Sequence, residues 1–498
     1  MIDGSDAYDA LERRFRRLDI LQQAVGILHW DQSVFMPLKG TSARGAQLAE
    51  LKLIGHEIIT NPEIERLLGE VDPTALDSWQ QANVREMRRI WANANAVPAD
   101  LVVAHSKACT ACEAVWREAR TNSDFASVLP TLEEVLRLTR EIGEVKASFL
   151  ELGLYDALLD RYAPGMRIDD ITLVLNDYAD FLPSFLDRVL ERQNTEQPAI
   201  APMGPFPRDR QRKLMRRLAE TVGLDFQSAR LDESLHPFSG GIPEDSRITT
   251  RYDEDDFADA MMAVLHETGH AMYERGRPAA WRGQPVGHSR GMVIHESQSL
   301  LVEMQVCRSQ EFIGWAAPML KASLSGEGPA WEAHNLYRRA IYVRPGFIRV
   351  DADEVTYPAH IIMRTRLEQA MLCGDLVLRD LPGAWNDTMQ GLLGIAPPED
   401  RLGCLQDIHW YDGAWGYFPS YTLGAMAAAQ IFQTARTADS DILPSIAGGD
   451  FKPLMDWLRK NIHNLGCFYT ADELVEHATG RPLDPSSFKA HLQTRYLG

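Results

Sequence analysis

The stretch AVLHETGHAMYERG places His266 and His270 four residues apart, with Glu267 between them. On a helix, residues four apart project from one face. Two imidazoles set this way can fill two corners of a tetrahedral zinc site. Glu267 lies about 100° around the helix from His266, so it can reach a water on the metal without ligating the metal. Hydrolysis needs that arrangement. The metal lowers the pKa of a water to about 7, and the carboxylate takes the proton and passes it to the leaving amine. The bland alternative is two histidines sharing a helix by chance. A third ligand decides between them.

A catalytic zinc takes one more protein ligand and keeps one position open. Past the loop RGRPAAWRGQPVG, the helical segment GMVIHESQSLLVEMQV offers Glu296, 26 residues after His270. An antiparallel helix reached through such a loop can return this carboxylate to the first helix, giving the two-His-one-Glu pattern. Glu303 follows seven residues later. Its spacing leaves two readings open: orienting a histidine, or an exposed ion pair.

The elements that must position these groups are mostly helical. Segments such as ALERRFRRLDILQQAVGILHW and TLEEVLRLTREIGEVKASFLELG repeat apolar residues every three or four positions. The metal motif reads as one helix, opened by the acidic DEDD and closed by Gly276 as a C-terminal cap. The best strand is SRITTRY, Ser246 to Tyr252, just before it. No internal repeat or linker divides the chain. The expectation is a mainly α fold, residues 1–498 forming a single large helical body with a small β element.

Composition bounds the function. Of 498 residues, 45% are hydrophobic and 24% charged, as in a globular protein with a large core. Fifty-one Lys and Arg against 70 Asp and Glu give a net charge of −19, which argues against a nucleic-acid or membrane-surface partner. The basic run RDRQRKLMRRLAE reads as a solvated helix face. Six cysteines are too few for a disulfide framework, and Cys109 and Cys112 read as packing rather than a redox or zinc pair. With no apolar run long enough to span a bilayer and no apolar core at the start, the expected location is the cytoplasm.

Further blocks follow the metal motif's surroundings: His236-Pro237-Phe238, DSRITT (Asp245 to Thr250), HESQS (His295 to Ser299), IRVDAD (Ile348 to Asp353) and GCLQDIHW (Gly403 to Trp410). With LHWDQSVFMP near the start and GYFPSYTLG later on, they make the chain resemble the carboxypeptidase Taq family of zinc metallocarboxypeptidases. The sequence departs at LLVEMQV, where the family's segment is more polar, so Leu300 and Met304 are unusual. The resemblance implies a deep groove with a zinc-peptidase core at its floor. The part from about 1 to 230 would form one wall, and the catalytic motifs would fall within 236–424. It also implies a homodimer that removes single residues from peptide C-termini with broad specificity, using zinc, with cobalt able to substitute.

The remaining blocks supply candidate substrate contacts. DSRITT is expected as a strand on the cleft wall whose open edge can pair with an extended peptide, with Arg247 either facing the cleft or solvent. Arg349 can hold a terminal carboxylate with two parallel hydrogen bonds, or fix its own loop by pairing with Asp353. Tyr357 can donate to the developing oxyanion or sit in the core. His409 and His236 are possible donors to substrate, each with an equally good structural reading. The leading function is a metal-dependent carboxypeptidase acting on peptides with a free C-terminus. The alternatives are a zinc endopeptidase or oligopeptidase on the same site, or a non-catalytic metal-binding scaffold.

Overall fold

The structure is a computed structural model that describes residues 4–498; Met1, Ile2 and Asp3 lie outside it. Helix makes up 70% of the described residues, and local signals explain many of the helix starts. Asn61 accepts the Glu63 N–H ahead of Pro62, Asp77 and Gln80 form a capping box, and Thr470 and Glu473 form another.

Two apolar clusters organise the packing. Tyr8, Leu11, Phe15 and Leu18 of the first helix, Gly4–Val34, pack with Ile64, Leu67, Val84 and Met87 in a small N-terminal core. The helices from Ala99 to Val222 share a larger core with the helices of the metal motif and the C-terminal third. Buried polar groups join the two clusters. Asn83 bonds Tyr8, Gln284 and the Val286 N–H, each at 3.1 Å. Arg290 grips Glu86 through two hydrogen bonds of 2.9 and 2.7 Å, both side chains being buried. Such a pair costs desolvation and stabilises only while both partners remain.

The one sheet among the described residues has strands β1 (Ala229–Glu233), β2 (Ser239–Ile242) and β3 (Asp245–Thr250) in the order β1-β3-β2. β3 runs parallel to β1, with Ala229 opposite Ser246, and antiparallel to β2, with Gly240 opposite Arg247. This corrects the expectation that DSRITT offers an open edge: β3 is central and paired on both sides. The flanking strands, ARLDE and SGGI, carry little of the β-branched pattern that marks a strand, so the sequence hides them.

The basic run forms helix Arg208–Val222, whose cations are exposed; Arg208 and Arg212 pair with Glu233, Arg212 also with Asp209, and Arg216 with Glu220. Cys109 and Cys112 are buried and form no disulfide, Cys109 Sγ lying 3.6 Å from His105 Nε2. Among the described residues no helix is long and apolar enough to cross a membrane.

Candidate active site

The metal motif lies on helix Ala258–Gly276. Asp256 accepts the Ala258 N–H near the start, as the acidic lead-in suggests. Gly276 is not the cap: it is the last helical residue, and a Cβ there would lie 2.6 Å from Cβ of His463. Close packing, not a left-handed turn, explains it.

The next helix, Gly291–Leu300, crosses the first at Gly269, where a Cβ would meet Gln298 O and Ser299 Cα at 2.7 Å. From behind, helix Pro419–Ala438 presses Gly424 against Glu296; a Cβ there would lie 2.8 Å from Cβ of Glu296. Two missing side chains therefore bring Glu296 to the histidines. One ligand atom each from His266, His270 and Glu296 lies within 4.8 Å of the others. Nε2 of His270 is 3.6 Å from Glu296 Oε2, and Nε2 of His266 is 4.0 Å from Oε1. Among the described residues no hydrogen bond occupies these three groups on that side, and no other cluster of this kind occurs.

The opposite edges of both rings are held. His266 Nδ1 meets Glu303 Oε2 at 3.0 Å, and His270 Nδ1 meets the His295 carbonyl at 3.1 Å. Anchoring Nδ1 turns each Nε2 towards the shared point. Glu303 is buried and bridged to Arg308 at 2.9 Å, so it is not the exposed ion pair that its spacing also allowed. Burial opposes a charge on His266, yet the Glu303 hydrogen bond and the carboxylates of Glu296, Glu267 and Glu303 push its pKa up to about 10. A pocket this rich in buried carboxylate is short of positive charge, and a divalent cation fits both that charge and the donor set. Glu267 is buried beside the cluster without being part of it, and burial raises its pKa above the ordinary glutamate range.

A cavity of about 540 Å³ opens over this point, lined by His266, Glu296, Arg349, Tyr357, Tyr421 and His236 among others. Arg349 is buried but does not pair with Asp353. Its Nη2 bonds Asp407 at 2.8 Å and its Nη1 donates to the Tyr357 hydroxyl at 2.8 Å. Asp353 instead caps its own turn, accepting from Val355, Thr356 and Arg344. Asp407 also holds the fully buried Arg364, and these two cations keep its carboxyl well below the usual range in spite of burial. Each terminal nitrogen of Arg349 keeps one N–H uncommitted.

Tyr357 accepts from Arg349, so its own hydroxyl proton is free to donate, and burial pushes its pKa up to about 12. His409 packs against Phe418, with Nε2 3.5 Å from the Tyr421 hydroxyl; burial lowers its pKa to about 4, so it is neutral near pH 7. His236 is exposed at the cavity rim. Arg247 does not line the cavity: it is bound to Asp245 at 2.7 Å and lies over the Trp30 ring. Sequence reasoning passed over Asp407 and Tyr421, although both lie in quoted blocks, QDIHW and GYFPSYTLG.

Two imidazoles one helical turn apart, a glutamate from a crossing helix and a free carboxylate beside them define a metallopeptidase site on a mainly α fold. The family model described as "Carboxypeptidase Taq (M32) metallopeptidase" matches residues 10–496. Thermostable carboxypeptidase 1 of Thermus thermophilus is 37% identical, with 98% of each chain covered. Among solved structures, Trypanosoma cruzi metallocarboxypeptidase 1 superposes with a TM-score of 0.97 at 39% identity, over 99% of each chain. The M32 carboxypeptidase of Deinococcus radiodurans gives 0.91 at 32% identity, over 98% of each chain. The chain belongs to the carboxypeptidase Taq (M32) family of metallopeptidases, and is a metal-dependent carboxypeptidase.

Proposed function

We propose that the resident metal is zinc, held by His266, His270 and Glu296, and that the enzyme releases one residue at a time from peptide C-termini. The observation that carries this reading is the convergence of three ligand atoms within 4.8 Å, unclaimed by other side chains, on the floor of a cavity that also contains Arg349. Zinc, when bound, polarises the scissile carbonyl and makes water acidic enough to attack near neutral pH. Glu267 takes the proton from the attacking water and delivers it to the leaving nitrogen. Tyr357 donates its hydroxyl proton to the carbonyl oxygen as negative charge develops. Arg349, braced by Asp407, directs its two free N–H groups at the terminal carboxylate, with His409, neutral near pH 7, and the rim residue His236 as further polar contacts and Arg247 outside the contact set.

The same proposal takes the enzyme as a homodimer of broad specificity, on the strength of the family resemblance, and as cytoplasmic, on the lack of an apolar segment in the sequence. The acidic charge disfavours nucleic-acid and membrane partners. The test is a zinc titration of the metal-free protein and of Glu296→Ala. The wild type should bind one zinc per chain, and the variant should lose stoichiometric binding at micromolar protein. A variant that still binds one zinc tightly overturns the ligand assignment.

A further inference from the structure

After the Glu296 helix the chain makes one π-helical turn, Leu301–Val306, closed by a 2.8 Å hydrogen bond from the Cys307 N–H to Val302 O. It then leaves the axis, and Ser309 starts the next helix by capping the Phe312 N–H. A helix end leaves its last carbonyls without N–H partners. Two of them, on Met304 and Gln305, are taken by a single side chain from the far end of the sequence. Arg495 Nη1 donates to Met304 O at 2.6 Å, and Nη2 donates to Gln305 O at 3.1 Å.

Arg495 belongs to the C-terminal helix, Ser486–Leu497, and is itself anchored. Its Nη1 also meets Glu354 Oε2 at 2.8 Å. The buried Glu354 gathers His491 Nε2 at 2.9 Å, the Tyr496 hydroxyl at 3.1 Å and Gln305 Nε2 at 3.3 Å. A cation at a helix C-terminus also suits the helix dipole. Glu303 is the residue immediately before the first capped carbonyl, and its carboxylate spans His266 and Arg308. A shift of this turn by a few tenths of an ångström would therefore move the group that orients His266.

We infer that Arg495 is a positioning residue for the metal site: by capping the carbonyls of Met304 and Gln305 it fixes the π-turn that aims Glu303 at His266. The inference rests on the metal reading above. A purely structural Arg495 would dock the C-terminal helix and affect stability alone.

Metal affinity separates the two roles. Zinc affinity is measured by competition with a chromophoric chelator for the wild type, Arg495→Met and Arg495→Lys, each also in a Glu303→Gln background, together with Tm of the metal-free proteins. Direct partners of a ligand histidine change affinity about 10–100-fold, so one step further out Arg495→Met should weaken zinc by roughly 3–10-fold. Lysine, able to reach one carbonyl, should recover part of the loss. In the Glu303→Gln background the effect of Arg495→Met should shrink to less than half, because the two act through one path. Lys489→Ala, which breaks a surface contact of the same helix with Asp177, should leave affinity unchanged. An Arg495→Met protein with lower Tm but wild-type zinc affinity, or equal fold-losses in both backgrounds, overturns the inference. If the methionine variant does not fold, the lysine variant runs the same cycle to the same two outcomes. A wild type that binds no zinc overturns the metal reading instead.

Discussion

Glu303 Oε2 lies 3.0 Å from Nδ1 of His266, while its other oxygen is tied to Arg308 at 2.9 Å. The carboxylate that orients the first histidine is thus itself held, whereas the second histidine leans on a backbone carbonyl. This asymmetry makes the His266 side of the site the one most open to mutation. Glu303→Ala should weaken zinc binding by about 10–100-fold while leaving Glu296 able to ligate. Isothermal titration of the metal-free protein measures it; an unchanged affinity would show that His266 needs no such partner.

Glu267→Gln should retain stoichiometric zinc yet lose at least about 10²-fold in kcat, the low end of a general acid–base contribution. Its side chain is buried beside the three proposed ligands without joining them. Metal content and single-turnover rates on one preparation are the check, and loss of zinc would contradict the role.

Arg349→Met should lower kcat/KM on free-acid peptides by about 10–150-fold, the cost of a lost charge-assisted contact. Since Arg349 also shares Asp407 with Arg364, Tm should fall as well, and Arg349→Lys should restore Tm better than it restores kcat/KM. Rates on matched acid and amide peptides decide it. A Met variant with undiminished preference for the acid would move carboxylate binding elsewhere.

A fourth prediction concerns Glu368, fully buried, accepting from the Gly416 N–H and with its second oxygen unpartnered. Burial raises its pKa to about 8 from 4.5. The folded state therefore keeps a proton that the unfolded chain gives up. Its stabilising contribution is complete below about pH 4.5, declines through the interval and is gone above about pH 8. At roughly 1.4 kcal/mol per pH decade, the decline amounts to a few kcal/mol. Glu368→Gln removes this titration, so its Tm relative to wild type should rise between pH 5 and pH 9, as scanning calorimetry can test. Parallel pH profiles would place the carboxyl's pKa near its ordinary value.

The parts of the site readable from sequence were those set by local geometry. His266 and His270 share a face because a helix turns every 3.6 residues, and Glu296 lies on the helix after the connecting loop, with Glu303 seven residues on in the π-turn that continues it. Arg349 shows where such reasoning stops. Asp353 was the nearby acid, but Asp407, 58 residues away, is the partner, and only the packing of distant segments decides that. The strand DSRITT was visible through its β-branched residues, yet its central place depends on ARLDE and SGGI, which carry little of that signal. Arg495 reaches the Met304 carbonyl across 191 positions, and backbone acceptors leave no mark in a sequence. Gly276 fitted a cap by position, and only the neighbouring His463 reveals its reason.

The central claim is that a metal on His266, His270 and Glu296 cleaves only the last peptide bond. The most direct measurement is the rate of C-terminal residue release from an N-blocked dipeptide, as free acid and as amide, by enzyme as purified, after chelation and after zinc is restored. The account predicts cleavage of the acid at least about tenfold faster than of the amide, loss of activity with the metal, and recovery with one zinc per chain. Equal rates on acid and amide, or full activity in a protein stripped of metal, would contradict it.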